Sequence, residues 1–275
     1  MNKDKFLSNL QKSLCSFEKS ISCTDNTWII KGLIDVHKNV YPVSLDTKMV
    51  SKAMEILIFP LLQDFAGKNS LEMELSREQN FYPDIAFICP KTKEMFAVDI
   101  KTTYRINNTK ANGMTLGAFT GYFRNRESTK NISYPYSRFS SHIVLGIIYS
   151  QNGHLPEKNV YSLEELKKIP SVIKDFKFFA QPKYKIASSR PGSGNTKNIG
   201  SITGIDELLN GKGPFANLGE EVFDDYWMNY LTNDMARAWE TPRPYSNLKE
   251  YFEYKSKNIE ILAKNKDKLS EEDTL

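Results

Sequence analysis

The sequence predicts an α/β fold in which a mixed β-sheet core is flanked by helices. Residues 82–89 and 95–103 have the composition of two strands, and the polar run 90–94 joins them. Residues 143–149 are apolar throughout, which is typical of a strand that is covered on both faces. Apolar residues at helical spacing before and after these strands indicate helices that cover the sheet.

The N-terminal segment predicts one helix and one strand pair. Within residues 1–25 apolar residues recur at helical spacing, and a polar loop follows. Residues 28–34 and 40–43 resemble two short strands around a turn at Lys38-Asn39. We therefore expect residues 27–43 to form a two-stranded ribbon.

A second helix is predicted directly after this ribbon. It begins at a cap near Ser44 or Asp46 and ends at Pro60, which cannot donate the next helical hydrogen bond. Lys48 and Glu55 are seven residues apart, so both lie on the polar face, opposite the apolar stripe.

The rest of the chain contains no internal repeat and no convincing linker, so residues 1–275 are expected to form a single domain. The last residues, 255–275, are rich in Lys, Asp and Glu and are expected to be a mobile polar tail. The remaining predicted elements are a short helix at 162–168, strands at 176–179 and 184–187, a loop over 188–201 and a helix over 222–231.

The composition excludes several classes of protein. The 275 residues are 40% hydrophobic and 25% charged, which is ordinary for a globular domain. Three cysteines without Cys-x-x-Cys spacing argue against a disulfide framework and a structural zinc site. No apolar run reaches the ~18 residues of a membrane span, and the start is too polar for a secretory signal, so we expect a cytoplasmic protein without membrane contact. A net charge of +4 permits a nucleic-acid partner.

Two carboxylates and a lysine carry the chemical signal. If 84–89 and 94–99 form a hairpin, Asp84 faces Asp99 with Cβ atoms ~4.5–5.5 Å apart. Asp99 and Lys101 share one side of their strand. Two carboxylates this close repel unless a cation lies between them, and oxygen ligands suit Mg²⁺. This pattern predicts metal-assisted hydrolysis of a phosphodiester; polar residues on a solvent-facing strand would explain the alternation equally well.

A glycine-rich segment, residues 192–198, has the chemistry of a base-reading loop. Its glycines let the backbone approach base edges, and the Asn195 amide can pair with adenine in the major groove. Thr196 offers a methyl group suited to the thymine methyl. The spacing is not that of a phosphate-binding loop, and a flexible linker is the alternative.

Asp84 followed by Asp99-Ile100-Lys101 resembles the PD-(D/E)xK nuclease motif. Other segments, in the same order over roughly residues 40–230, resemble the EcoRV-like type II restriction endonucleases of that superfamily. They are Asp46-Thr47-Lys48 with Glu55, residues 79–84, 99–104, 115–117, 129–135, 192–201 and 225–230.

This resemblance implies a role for each matching residue. Asp84 and Asp99 would be metal ligands, Lys101 would orient the attacking water and the phosphate, and Glu55 would be a catalytic helix carboxylate that takes part in the metal site. Without the resemblance, Glu55 would be a solvated helix residue. The implied DNA-binding residues are Lys48, Gln79, Asn80, Thr103, Lys130, Gly192, Gly194, Asn195, Thr196, Lys197 and Asn198.

The implied activity is that of a homodimeric, Mg²⁺-dependent endonuclease that cuts both strands of double-stranded DNA at a short palindrome. The similarity of the glycine-rich loop suggests GATATC, cut to blunt ends with 5′-phosphate and 3′-hydroxyl groups. Residues 27–43 would supply the dimer contact, and a cognate DNA methyltransferase would protect host DNA without binding this chain. A repair or junction-cleaving nuclease of the same superfamily, or a DNA-binding module without catalysis, are the alternatives.

Overall fold

The computed structural model describes residues 1–78, 80–153, 157–192 and 197–256. The helices are α1 (Lys3–Ile21), α2 (Thr47–Lys68), α3 (Lys183–Ile186), α4 (Ile205–Asn210), α5 (Glu220–Asn229), α6 (Asn233–Ala238) and α7 (Leu248–Tyr254). The strands are β1 (Gly32–Ile34), β2 (Val40–Pro42), β3 (Glu72–Leu75), β4 (Ile85–Ile88), β5 (Met95–Tyr104), β6 (Thr115–Ala118), β7 (Phe139–Gln151), β8 (Ile173–Pro182), β9 (Ala187–Pro191) and β10 (Asn198–Ser201).

The main sheet is mixed and has the strand order β3-β4-β5-β7-β8. Strands β5 and β7 are parallel, and the other neighbouring pairs are antiparallel. Strand β7 contains the apolar run 143–149 and lies between two partners, as its composition predicts. The predicted α/β class with a mixed sheet is confirmed.

The two faces of the main sheet pack against different layers. Phe96, Val98 and Ile143 belong to the core that α1 and α2 close. Ala97 and Val144, one residue further along each strand, belong to the core that the C-terminal helices and the three-stranded sheet β6-β10-β9 close. Residues 97, 99 and 101 therefore point into the second layer, because side chains alternate along a strand. None of the described helices has the length and apolarity to cross a bilayer.

The predicted strand pair at the N-terminus is confirmed, although it is shorter than expected. Strands β1 and β2 pair antiparallel, with Gly32 opposite Pro42. Lys38 has a φ of 65°, which closes the turn predicted at Lys38-Asn39.

Helix α2 corrects one prediction. Asp46 caps it by accepting from the Lys48 and Met49 backbone N–H groups, as expected, but the helix continues past Pro60 to Lys68. Pro60 is exposed, so its lost hydrogen bond leaves a carbonyl near water, whereas Leu62 and Phe65 beyond it are buried. Burial of that last apolar stretch outweighs the defect.

Two further predictions are wrong. Residues 184–187 were expected to be a strand, but Lys183–Ile186 form a single helical turn that redirects the chain from the main sheet into β9. Residues 188–201 were expected to be a loop, but its ends are β9 and β10, which pair antiparallel. Most of the predicted C-terminal tail lies outside the described residues.

Candidate active site

The two aspartates are brought together by the hairpin of β4 and β5. Ile85 pairs with Val98 and Ile88 pairs with Met95. This register is the predicted one, and continuing it by one residue places Asp84 opposite Asp99. Asp84 Oδ2 accepts a 2.6 Å hydrogen bond from the Ile100 backbone N–H, which holds the carboxylate against β5.

Lys101 completes this group from the same side of β5. Its Nζ lies 2.8 Å from Asp99 Oδ2. That oxygen is buried and has no hydrogen bond of good geometry, so the contact is an ion pair. Asp99 is buried, whereas the Lys101 side chain is 26% exposed, so its ammonium group can reach a ligand at the surface.

The electrostatics of the three groups are coupled. Burial and the negative charge of Asp99 raise the pKa of Asp84 well above its ordinary value. Burial alone would lower the pKa of Lys101, but Asp99 and Asp84 offset it and the pKa is raised. Lys101 therefore neutralises only part of the negative charge of Asp84 and Asp99. A bound cation would reduce the remaining repulsion between the two carboxylates.

Asp84 opens onto a groove of about 1080 Å³ between α2 and the hairpin. Lys48 and Glu55 line it from the polar face of α2, and exposed Asn80 lines it from the loop before β4. The sequence-predicted residues Lys48, Glu55, Asn80 and Asp84 thus share one groove.

Glu55 does not form a three-carboxylate cluster with the two aspartates. Its Oε2 lies 2.7 Å from Lys52 Nζ. Among the residues that the structure describes, no group of three or more His, Cys, Asp or Glu side chains is placed to hold a metal ion. Participation of Glu55 in a metal site stays a prediction.

Sequence reasoning missed an aromatic layer behind the carboxylates. Tyr82, two residues before Asp84, stacks on Tyr122 and Tyr136 with ring centroids 5.4 and 5.9 Å away. Its hydroxyl is hydrogen-bonded to His142 Nδ1 at 2.8 Å. Burial and the positive charges of Lys183 and Arg126 lower the pKa of His142 well below its ordinary value, so the ring is neutral. Nothing in the spacing of these residues along the chain predicts that they meet.

The base of the glycine-rich loop is built on β9 and β10. The Gly192 backbone N–H donates to the Asn198 carbonyl at 2.8 Å, which closes the loop. A Cβ atom on Gly192 would lie 2.8 Å from Thr115 Cγ2, so a side chain would force a shift there. Lys197 is exposed. The predicted DNA contacts Gln79, Gly194, Asn195 and Thr196 lie outside the described residues.

Two other predicted DNA contacts, Lys130 and Thr103, differ in their exposure to solvent. Lys130 is exposed in the loop that precedes β7. Thr103, in contrast, is 4% exposed, and its hydroxyl donates to the Asn112 carbonyl at 2.7 Å. In this structure the Thr103 hydroxyl is therefore used inside the protein, and its contact with DNA stays a prediction.

Comparison with known proteins decides the family. The model of the family described as restriction endonuclease EcoRV matches residues 24–256. The type II restriction enzyme EcoRV of Escherichia coli is 35% identical over 223 residues, which cover 80% of this chain and 88% of that enzyme. The chain belongs to the EcoRV restriction endonuclease family. It is a type II site-specific deoxyribonuclease, and the predicted family, enzyme class and DNA partner are confirmed.

A distant likeness among solved structures adds nothing to this assignment. The NlaIV restriction endonuclease aligns over 94% of this chain and 97% of its own with a TM-score of 0.38 and 10% sequence identity.

Proposed function

We propose that this chain is a Mg²⁺-dependent, homodimeric endonuclease that cuts the palindrome GATATC to blunt ends. The observation that carries the catalytic part is the placement of Asp84 opposite Asp99, with Lys101 2.8 Å from Asp99, beside an open groove. Membership in the EcoRV family supports cleavage of duplex DNA at a specific sequence.

The carboxylate pair fits a hard divalent cation. Mg²⁺ keeps several water ligands and is commonly bound by one or two carboxylates together with substrate phosphates. Asp84 and Asp99 supply that number of protein ligands, so a third acidic side chain is not required. A bound Mg²⁺ would supply Lewis-acid activation of the phosphate and an acidified water.

Groups of the protein itself would orient the phosphate, the attacking water and the metal ligands. Lys101 is partly exposed and carries a positive charge beside Asp99, so it can hold a phosphate oxygen or orient the attacking water. The Ile100 N–H fixes Asp84 through one carboxylate oxygen, which leaves the other oxygen free of that bond. The wall formed by α2, with Lys48 and Glu55, borders the path by which the DNA backbone reaches the pair.

Sequence reading is assigned to the glycine-rich loop that β9 and β10 present. The Asn195 amide suits adenine, and Lys197, which is exposed, suits a phosphate. The loop sequence Gly-Ser-Gly-Asn-Thr at 192–196 is what supports GATATC as the target.

The dimer contact is assigned to the ribbon of β1 and β2. A palindrome is matched by a protein with two-fold symmetry, and an isologous interface supplies it. Leu33, Ile34 and Val36 of this ribbon are 61%, 59% and 91% exposed, which is unusual for three apolar side chains within four residues. A second copy of the chain would bury them.

A glutamate at the ribbon should dissociate the dimer. Leu33→Glu places a charge in the proposed apolar contact, so we expect the variant to sediment as a monomer at micromolar concentration and to lose double-strand cleavage. Ile106→Glu is the matched control, because Ile106 is 62% exposed but lies in the loop after β5. Analytical ultracentrifugation measures the result, and a Leu33→Glu dimer as stable as the control would exclude this ribbon.

Sequencing of cleaved ends tests the function as a whole. Plasmid DNA incubated with the protein and Mg²⁺ should give blunt ends that all fall at GATATC, and EDTA should stop the reaction. If the ends share another palindrome, GATATC is the wrong target sequence, whereas the assignment as an endonuclease still holds. Cutting only at junctions or lesions would favour a repair enzyme, and binding without cutting would favour a silent DNA-binding module.

A further inference from the structure

Lys52 is a residue of α2 that has no part in the proposed function, although it lies in the groove of the candidate active site. It lines that groove together with Lys48, Glu55 and Asp84. Its side chain is 68% exposed, and its Nζ lies 2.7 Å from Glu55 Oε2. Lys52 therefore holds the carboxylate that α2 contributes to the groove.

The ion pair of Lys52 and Glu55 contributes little to the stability of α2. A lysine that precedes its glutamate is the less favourable order, because it runs against the helix dipole. Solvent reaches both side chains, so water and salt weaken the attraction between them. Asp64 and Lys68 on the same helix have the favourable order, with the acid first at a spacing of four residues. Lys52 can therefore exchange Glu55 for another anion at small cost.

The backbone of α2 is fixed beside this ion pair. The hydroxyl groups of Ser51 and Thr102 are hydrogen-bonded at 2.5 Å. Ser51 directly precedes Lys52 on the helix, and Thr102 directly follows Lys101 on β5. The bond thus joins the wall of the groove to the strand that carries the candidate catalytic residues. Because the helix is held there, an exchange of partners at Lys52 needs only rotation of side chains.

DNA offers Lys52 a partner that competes well with Glu55. Cations line the groove on two sides, Lys48 and Lys52 on α2 and Arg77 in the segment after β3. Duplex DNA carries a dense row of phosphates, and each phosphate that a lysine neutralises releases a condensed counterion. A lysine–glutamate pair at a protein surface has no such counterion to release. A phosphate in the groove is therefore the favoured partner of Lys52.

We propose that Lys52 changes partner when DNA enters the groove: its ammonium group leaves Glu55 for a backbone phosphate, and the Glu55 carboxylate becomes free to turn towards Asp84. Lys52 is then a phosphate-binding residue and, through the ion pair, a positioning residue for Glu55. This inference rests on the proposed function for the path of the DNA backbone along the groove.

The salt dependence of DNA binding tests the contact with phosphate. Labelled duplexes with and without GATATC are titrated in EDTA over a range of NaCl concentrations. We expect Lys52→Gln to bind both duplexes about threefold to tenfold more weakly and to lower the slope of log K against log[NaCl] by about 0.9, the value for one phosphate contact. Lys52→Arg keeps the charge and should bind like the wild type. An unchanged slope in Lys52→Gln would overturn the proposal.

A second comparison tests the exchange itself. In Glu55→Gln, Lys52 is unpaired before DNA arrives, so we expect duplex affinity in EDTA to rise about threefold. When Lys52→Gln is also present, most of this gain should disappear, because no lysine is left to release. Equal gains with and without Lys52 would show that Glu55 acts only by repelling phosphate, and the exchange would be wrong.

The second ion pair of α2 supplies matched controls. Lys68→Gln and Asp64→Asn break a surface pair on the same helix, and neither should change duplex affinity or its salt slope. Glutamine has nearly the helix propensity of lysine, so Lys52→Gln and Lys68→Gln should keep the far-UV circular dichroism of the wild type. A loss of affinity in Lys68→Gln equal to that in Lys52→Gln would reduce the effect of Lys52 to net charge and overturn the assigned contact.

Cleavage at saturating duplex separates Lys52 from the catalytic residues. Because Glu55 is also free in Lys52→Gln, we expect kcat within about threefold of the wild type and the loss to appear in KM. A fall in kcat without a change in KM would contradict the proposal. Failure of the proposed function is distinguishable, because it shows as wild-type cutting that does not need Mg²⁺ or does not fall at GATATC, whereas the binding titrations in EDTA require neither.

Discussion

Replacing Asp99 by alanine is expected to lower cleavage by at least about 10³-fold, because the variant loses one of the two carboxylates proposed to hold the metal and a metal ion supplies several kcal/mol of transition-state stabilisation. The fold should survive. Asp99 faces Asp84, and removing one of two like charges relieves repulsion in the metal-free protein. Asp99 also forms the ion pair with Lys101, and the loss of that pair opposes the gain. We therefore expect the free energy of unfolding in EDTA to stay close to that of the wild type, as measured by urea denaturation.

The control for this variant is Asp64→Ala. Asp64 lies on α2, is 60% exposed and forms a surface ion pair with Lys68, so its loss should leave both cleavage and stability nearly unchanged. Asp99→Asn, which keeps the side-chain shape, should be as inactive as Asp99→Ala. Substantial cutting by either Asp99 variant at millimolar Mg²⁺ would show that the metal is held elsewhere.

Replacing Lys101 by alanine should lower kcat by about 10²–10⁴-fold and leave DNA affinity nearly intact. A positioned cation that acts on the reacting phosphate stabilises charge that develops in the transition state, and its loss affects the chemical step. Binding of the duplex depends on many phosphate contacts, of which Lys101 would supply one. Single-turnover cleavage in Mg²⁺ measures the first effect, and titration of labelled duplex in Ca²⁺ measures the second.

Lys68→Ala is the matched control for Lys101. Lys68 is 72% exposed and pairs with Asp64 at the far end of α2, so the variant should cleave and bind like the wild type. Equal losses of affinity and rate in Lys101→Ala would make Lys101 a binding residue. The catalytic role would then be wrong, while the pairing of the two aspartates would be unaffected.

Local rules were enough to predict the hairpin and the polar face of α2. The register that brings Asp84 to Asp99 follows from a four-residue connection and from the two-residue period of a strand. Lys48 and Glu55 share the groove because residues seven apart lie on one face of a helix. Each relation involves residues close together in the chain, so the backbone geometry alone determines it.

The tertiary structure decided the features that depend on burial. Helix α2 passes Pro60 because distant core residues cover its last turns, and residues 183–186 form a helical turn because the chain must leave one sheet for another. The Thr103 hydroxyl donates to the carbonyl of Asn112, a partner in a different segment. Lys183 meets Tyr82 across a hundred residues, and its sequence neighbours give no sign that it is buried. Periodicity reports which side chains share a face, whereas desolvation depends on what the rest of the chain places over that face.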